Sequence, residues 1–285
     1  MSEPRQSPRA GFALRDAFAW GELRDLVRRG ESSGYDALVV PEIAARDAFA
    51  TLTAVAGETS SLRLGTGIVP MTSRTAELTA MGAATVQERS DGRAVLGIGT
   101  GAAGPGALDL LRDYVSTVRA FFEQGLALPV ATPPIWLSAL GPRAVRLAGE
   151  IADGVLLNWC TPERVGRAIA EVREGAERAH RDPTAITVAV YVRAALGPSA
   201  AAALRAAAAE YAAFPAYARQ FGAMGLDPRD PDAIVAGVCL PAGAAPARAR
   251  LAAYREAGAD LPIVYPVSTG EGPSSVAAVL EALAP

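Results

Sequence analysis

The chain has 285 residues, a net charge of −3 and 27 cationic side chains, all of them arginine. The absence of lysine excludes Schiff-base and P-loop lysine chemistry, and the single histidine, His180, excludes a polyhistidine metal centre. Hydrophobic residues make up 51% of the chain and aromatics only 6%, a balance that suits helices packed on buried parallel strands, and no basic block marks a nucleic-acid stripe.

Short apolar runs predict strands at 12–14 and 37–40, separated by a helix-period segment at 22–33 that stops at Gly34. A helix at 48–59 precedes the strand 62–69, and a helix at 76–89, closed by Asp91-Gly92, precedes the strand 94–98. Further strands at 135–138, 154–157, 186–192 and 262–265 alternate with helices at 108–124, 143–150 and 163–178, the last opened by Thr161-Pro162-Glu163 as N-cap, N1 proline and first-turn acid. Eight such strands, apolar on both faces, predict a single (β/α)8 TIM barrel in the α/β class, because an open sheet would leave two edges. The stretch 199–232 is too long for a simple connection and reads as an insertion after strand seven; Tyr211, Phe214, Tyr217 and Phe221 either anchor it or wall a pocket.

Two of the strands, 62–69 and 94–98, close on Gly/Thr clusters, where backbone amides can approach a planar or anionic ligand. Gly97-Ile98-Gly99-Thr100-Gly101-Ala102 formally fits a dinucleotide fingerprint, but Gly104-Pro105-Gly106 interrupts the helix that should follow and no acid closes the next strand. Leu140-Gly141-Pro142-Arg143 follows the strand IWLS and opens a helix, which makes it either an ordinary turn or an anion site built of free amides and Arg143. Glu42 ends strand two as a loop acid or a helix cap, and Asn158 ends strand six with a side chain that can donate and accept toward a heterocycle. Cys160 and Cys239 form neither a disulfide framework nor a metal motif. The polar N-terminus and the lack of a long apolar run predict a soluble, cytoplasmic protein with no membrane or nucleic-acid partner.

The segments GYDALVVPE, RLGTGIVP, ERSDGRAVLGIGTG, PPIWLSALGPRAVRLAGEIADGVLLNW and TPE, in that order, together with EYAAFPAYARQFGAMG, resemble the bacterial luciferase-like superfamily of flavin- and deazaflavin-dependent oxidoreductases. The resemblance implies a barrel that holds a flavin-type ring at the carboxyl ends of its strands and transfers hydride to or from a small-molecule substrate, with a homodimer as the expected assembly. It implies a bulge with a non-prolyl cis peptide at Gly67-Ile68, and ring or ribityl contacts at Gly99, Thr100, Gly101 and Asn158. The cofactor tail would lie on Ser138, Ala139, Leu140, Gly141, Pro142 and Arg143, with Glu42 as the acid near the ring.

LGIGTG and ALGPR look closest to the branch that uses coenzyme F-420, an 8-hydroxy-5-deazaflavin, in preference to FMN. Two departures stand out. Gly104-Pro105-Gly106 replaces an Asn that relatives often carry, with the longer segment before the fourth helix missing, and no histidine can serve as a proton donor beside the ring, leaving Glu42 or water. An FMN-dependent monooxygenase or reductase and a noncatalytic cofactor-binding paralogue are the alternative readings. No metal site is expected.

Overall fold

The computed structural model describes residues 9–15, 17–43, 45–101 and 104–285, so Ala102 of the glycine-rich motif lies outside the described residues. The elements run β1 (Gly11–Ala13), α1 (Trp20–Ser32), β2 (Ala37–Val40), α2 (Ala48–Ala56), β3 (Arg63–Thr66), β4 (Val69–Pro70), α3 (Ala76–Arg89), β5 (Ala94–Gly99) and α4 (Ala107–Ala120). They continue with β6 (Ile135–Ala139), α5 (Pro142–Ile151), β7 (Gly154–Asn158), α6 (Pro162–Arg178) and β8 (Thr187–Ala194). Three helices follow, α7 (Ala200–Ala212), α8 (Pro215–Ala223) and α9 (Pro231–Val238), and then α10 (Ala244–Glu256), β9 (Leu261–Pro266) and α11 (Pro273–Ala282).

Every strand pairing is parallel, in the order β3-β2-β1-β9-β8-β7-β6-β5-β4, and a further pairing of β3 with β5 closes the ring. The predicted third strand is split into β3 and β4. Leu64 and Gly65 face Ala94 and Val95 while Val69 faces Ile98, so three residues, Thr66 to Ile68, stand opposite two, Leu96 and Gly97. That extra residue is a bulge, the device that re-aims a strand beside a binding site. The Gly67-Ile68 bond within it is trans, as are all described peptide bonds, and this corrects the cis bond expected there. Trans is the ordinary state because a non-prolyl cis peptide is higher in energy by about 2.5–4 kcal/mol.

Alternation along the strands sorts the core into two shells. Ala13, Val39, Val95, Trp136, Leu156, Tyr191, Ile263 and Tyr265 fill the barrel interior. The larger outer shell, with Phe12, Leu38, Leu64, Leu96, Leu137, Val155 and Val190, packs against the helices. Helix starts follow local chemistry: Asp47 accepts the Ala50 amide at 2.9 Å to open α2, and Thr161 accepts the Arg164 amide at 3.2 Å to open α6, whose first residue is Pro162.

The insertion reaches further than its sequence boundary of 232. Asp230 accepts the amides of Asp232 at 3.0 Å and Ala233 at 3.1 Å, so a capped helix begins where the expectation ended and runs to Val238. Its helices bury Leu204, Ala208, Phe221, Ile234 and Val238 against Trp159, a third apolar cluster above the barrel. Helix α2 ends at Ala56, and α4 ends at Ala120 before a π-helical turn over Phe121–Gly125, both short of the periodic apolar pattern.

Candidate active site

The carboxyl ends of the strands form one mouth, and the bulge occupies one side of it. A methyl group on Gly99 would come within 2.5 Å of Ile68 Cγ2 and 2.8 Å of Ser138 Oγ, so the predicted residues Gly99, Ile68 and Ser138 meet at one point. Thr66 ties the strands below: its hydroxyl accepts from the Gly97 amide at 2.8 Å and donates to the Gly97 carbonyl at 3.0 Å. Gly67 is buried, and a side chain there would collide with the Tyr191 hydroxyl and with the backbone of Pro41. Gly101 takes a left-handed φ of +59° and faces Thr72 and Pro70, so its missing side chain serves the turn. Thr100 beside it is half-buried.

The turn after β6 lies next to this cluster. Gly141 is the N-cap of α5 and Pro142 its first residue, which leaves the amides of Arg143 and Ala144 without helical acceptors. Gly141, Pro142 and Arg143 are exposed, Ala139 is buried, and Arg143 has no ion-pair partner among the described residues. The Leu140 carbonyl is pinned at 3.2 Å by Arg164 Nη2, itself buried and paired with Glu171 at 2.9 Å. Thus the turn is rigid at its base while its outer face is open.

Glu42 approaches the mouth through its backbone, donating its amide to the Ile68 carbonyl at 3.2 Å. Its carboxylate is committed elsewhere. Oε1 accepts from Arg74 Nε at 3.0 Å, and Oε2 accepts from Arg74 Nη2 and from the Ala48 amide, each at 3.1 Å. Arg74 also bonds Asp47 and lies over the Phe49 ring. The hydrogen bond to Glu42, against partial burial, holds the Arg74 guanidinium above its ordinary pKa. Burial pulls the Asp47 carboxyl upward, but the Ala50 amide and Arg74 outweigh it and hold it below the usual range.

On the far side of the mouth the structure joins Asn158, Tyr211 and Tyr217, which the sequence singled out, to Arg193, Tyr265 and Gln220, which it did not. Asn158 donates from Nδ2 to the Tyr217 hydroxyl at 2.8 Å, and its Oδ1 accepts from Arg193 Nη1 at 2.6 Å. Arg193, only 3% exposed, lies over three rings, at 4.0 Å from the centroid of Trp159, 4.7 Å from Tyr265 and 4.8 Å from Tyr211. Gln220 of α8 donates to the carbonyls of Asn158 and Trp159 at 2.7 and 2.8 Å, so the insertion is stitched to the end of β7. Burial pushes the hydroxyls of Tyr217 and Tyr265 up to about 12 and the Cys160 thiol likewise, keeping all three protonated at neutral pH. A cavity of about 640 Å³ opens beside this network, between the ends of β1, β8 and β9 and the flank of α7.

The one signal for Arg193 in the sequence was a charge inside the apolar run VAVYVRA. His180 is exposed in the connection between α6 and β8, at the opposite end of the barrel. No cluster of potential metal ligands occurs among the described residues, and no described helix is long and apolar enough to cross a membrane.

Comparison with known proteins matches the profile of the luciferase-like monooxygenase family to residues 3–261. The chain belongs to that family. It is 32% identical over 211 residues to the 5,10-methylenetetrahydromethanopterin reductase of Methanolobus tindarius, a match spanning 65% of each chain. It is 30% identical over 193 residues to a putative coenzyme F-420-dependent oxidoreductase of Mycobacterium tuberculosis, covering 54% of this chain and 56% of that one. These matches therefore span less than two thirds of the relatives' length. Among solved structures, the F-420-dependent tetrahydromethanopterin reductase of Methanopyrus kandleri superposes with a TM-score of 0.79 at 18% identity over 98% of both chains. The oxygenating component of 3,6-diketocamphane monooxygenase from Pseudomonas putida, in complex with FMN, gives 0.75 at 15% identity over 98% of this chain and 97% of that one. Both share the closed parallel barrel.

Proposed function

We propose that this protein is an oxidoreductase that moves a hydride between coenzyme F-420 and a small organic substrate. The observation that carries the reading is the juxtaposition of the Gly99–Ile68–Ser138 contact with the open start of α5, a shelf for a planar ring beside free amides and an unpaired Arg143 for an anionic tail. Two relatives of about one-third identity are named for the same cofactor chemistry or its pterin substrate, which supports the choice.

The residues present fit such a group. Ser138 to Arg143 would hold the phosphate-bearing tail, and Gly67, Ile68, Gly99, Thr100 and Gly101 would border the ring and ribityl chain. The Tyr191 hydroxyl, buried beneath Gly67 and without a hydrogen-bond partner among the described residues, is a polar atom that a ring edge could satisfy. When bound, the deazaflavin supplies a carbon that gives or takes hydride and does not activate oxygen; the barrel orients it. Asn158 retains one Nδ2 hydrogen beyond its bond to Tyr217. Glu42, with both oxygens engaged by Arg74 and the Ala48 amide, positions the β2 end against the bulge, which leaves water to carry the proton.

Titrating the purified chain with F-420 and with FMN tests the reading. Saturable F-420 binding, tighter than FMN, followed by anaerobic hydride exchange is the expected result. Tighter FMN binding with oxygen-dependent product would instead favour the monooxygenase reading, and F-420 binding without exchange on any substrate the noncatalytic one. A cytoplasmic homodimer completes the proposal, and its mass by light scattering checks the assembly.

A further inference from the structure

Arg193 is a charged group in the wrong place for a purely structural arginine. It is almost fully buried at the carboxyl end of β8 and forms no ion pair among the described residues. A buried cation is costly unless something compensates its charge, and three ring faces plus one amide oxygen are weak compensation for a full guanidinium. Among the described residues its one hydrogen bond uses Nη1, which leaves the Nε and Nη2 edge unengaged there. That edge is the fork that grips a carboxylate with two parallel hydrogen bonds.

The cavity beside it says what the rest of the ligand looks like. Its volume, about 640 Å³, suits a small organic molecule. Its walls are apolar, with Leu14, Phe18 and Val267 on one side and Ala203 and Ala207 of α7 on the other. Among the described lining residues, Arg15 and Glu210, both exposed, are opposite in charge, and Arg193 supplies the net charge at depth.

We propose that Arg193 is a specificity-determining residue that binds the carboxylate of an apolar organic acid, the substrate class of this enzyme. The inference deepens the oxidoreductase reading and rests on it for the word substrate. Asn158 sets the guanidinium's rotation, Trp159 and Tyr265 fix its plane, and the acid's hydrocarbon body lies along α7.

Calorimetric titration of the full chain with phenylacetate and with phenylacetamide, at equal ionic strength, tests it. The expected result is a preference for the acid of about tenfold or more in the wild type. The preference persists in Arg143→Ala, which locates it away from the α5 start, and is lost in Arg193→Met. Arg193→Lys, which keeps the charge but not the fork, loses most of it. Equal affinity for acid and amide, or a preference that survives Arg193→Met, overturns the assignment; should Arg193→Met fail to fold, the wild-type preference and its fall in Arg193→Lys decide. F-420 titration of the same proteins keeps the two claims apart. F-420 binding without an acid preference sinks Arg193 alone, and an Arg193-dependent preference without F-420 binding sinks only the cofactor reading.

Discussion

The hydroxyl of Tyr191 on β8 reaches across the barrel interior to Gly67 in the bulge between β3 and β4, so closely that a methyl group at Gly67 would collide with it. The hydroxyl has no hydrogen-bond partner among the described residues, and burial, aided by the neighbouring Tyr265, keeps it protonated well above the usual range. Tyr191→Phe should leave urea stability unchanged or raise it by up to about 1 kcal/mol, because an unsatisfied buried donor is removed. It should weaken F-420 binding severalfold if the ring satisfies that donor. Gly67→Ala should cost about 1–3 kcal/mol through overpacking, and adding Tyr191→Phe should recover only part, since Pro41 also blocks the methyl.

Gly101→Ala and Gly99→Ala should lower stability as well as cofactor affinity. Gly101 sits at a φ of +59°, and a methyl at Gly99 meets Ile68 and Ser138 before it meets any ligand. About 1–3 kcal/mol of destabilisation is expected for each. Denaturant curves beside F-420 titrations check this; a loss of affinity alone would mean that both glycines serve the ligand and not the turn.

Arg143→Ala should behave in the opposite way. The side chain is exposed and unpaired, so the thermal midpoint should stay put while F-420 affinity falls about five- to tenfold. An unrelated surface substitution, Arg178→Ala, is the control. Equal effects of the two would remove Arg143 from the phosphate site.

Glu42→Gln breaks a two-point ion pair with Arg74 and should destabilise by about 1–3 kcal/mol. Turnover should fall only in proportion to the disturbed bulge, whereas intact stability with turnover abolished would make Glu42 the proton donor. The same cluster gives a pH signature. Because the Asp47 carboxyl is held below its ordinary value, its contribution is complete above the unfolded range, about 3.9, and fades as pH falls through the lower folded value.

Both thiols should be silent in the native protein. Burial pushes Cys160 and Cys239 up to about 12, and both are almost completely shielded from solvent. A thiol reagent at neutral pH should label them only at the rate of unfolding. Since the folded value is raised, stability is complete below the ordinary thiol range, about 8.5, and declines as pH climbs from there toward the folded value. Fast labelling of either cysteine in the native state would contradict the packing.

The barrel itself was legible because its signals are local. Apolar runs such as ALVV and GVLLN have no polar face, as strands covered on both sides require, and caps such as Thr161-Pro162 lie within one helical turn of what they control. Helices α10 and α11 escaped because alanine-rich segments carry little contrast between faces. The bulge was visible only through family resemblance, since one extra residue changes register without changing composition. Arg193 was missed for a different reason: the rings and the amide that give it meaning come from β7 and the residue after it, from α7 and from β9, and nothing in VAVYVRA announces them.

Gln220 and Tyr254 together grip three successive carbonyls at the end of β7, those of Asn158, Trp159 and Cys160, from α8 and α10. The helical excursion that walls the cavity is therefore fastened to the scaffold in part through main-chain atoms, beside the Asn158–Tyr217 hydrogen bond and the apolar seat on Trp159. Such a fastening lets evolution, or a protein engineer, graft a new excursion onto the same barrel without redesigning the strand beneath it. A graft must keep an amide-bearing side chain where Gln220 stands, a hydrogen-bond partner for Asn158 where Tyr217 stands and an apolar face toward Trp159, and the pocket can then be exchanged as a cassette while the cofactor end is left alone.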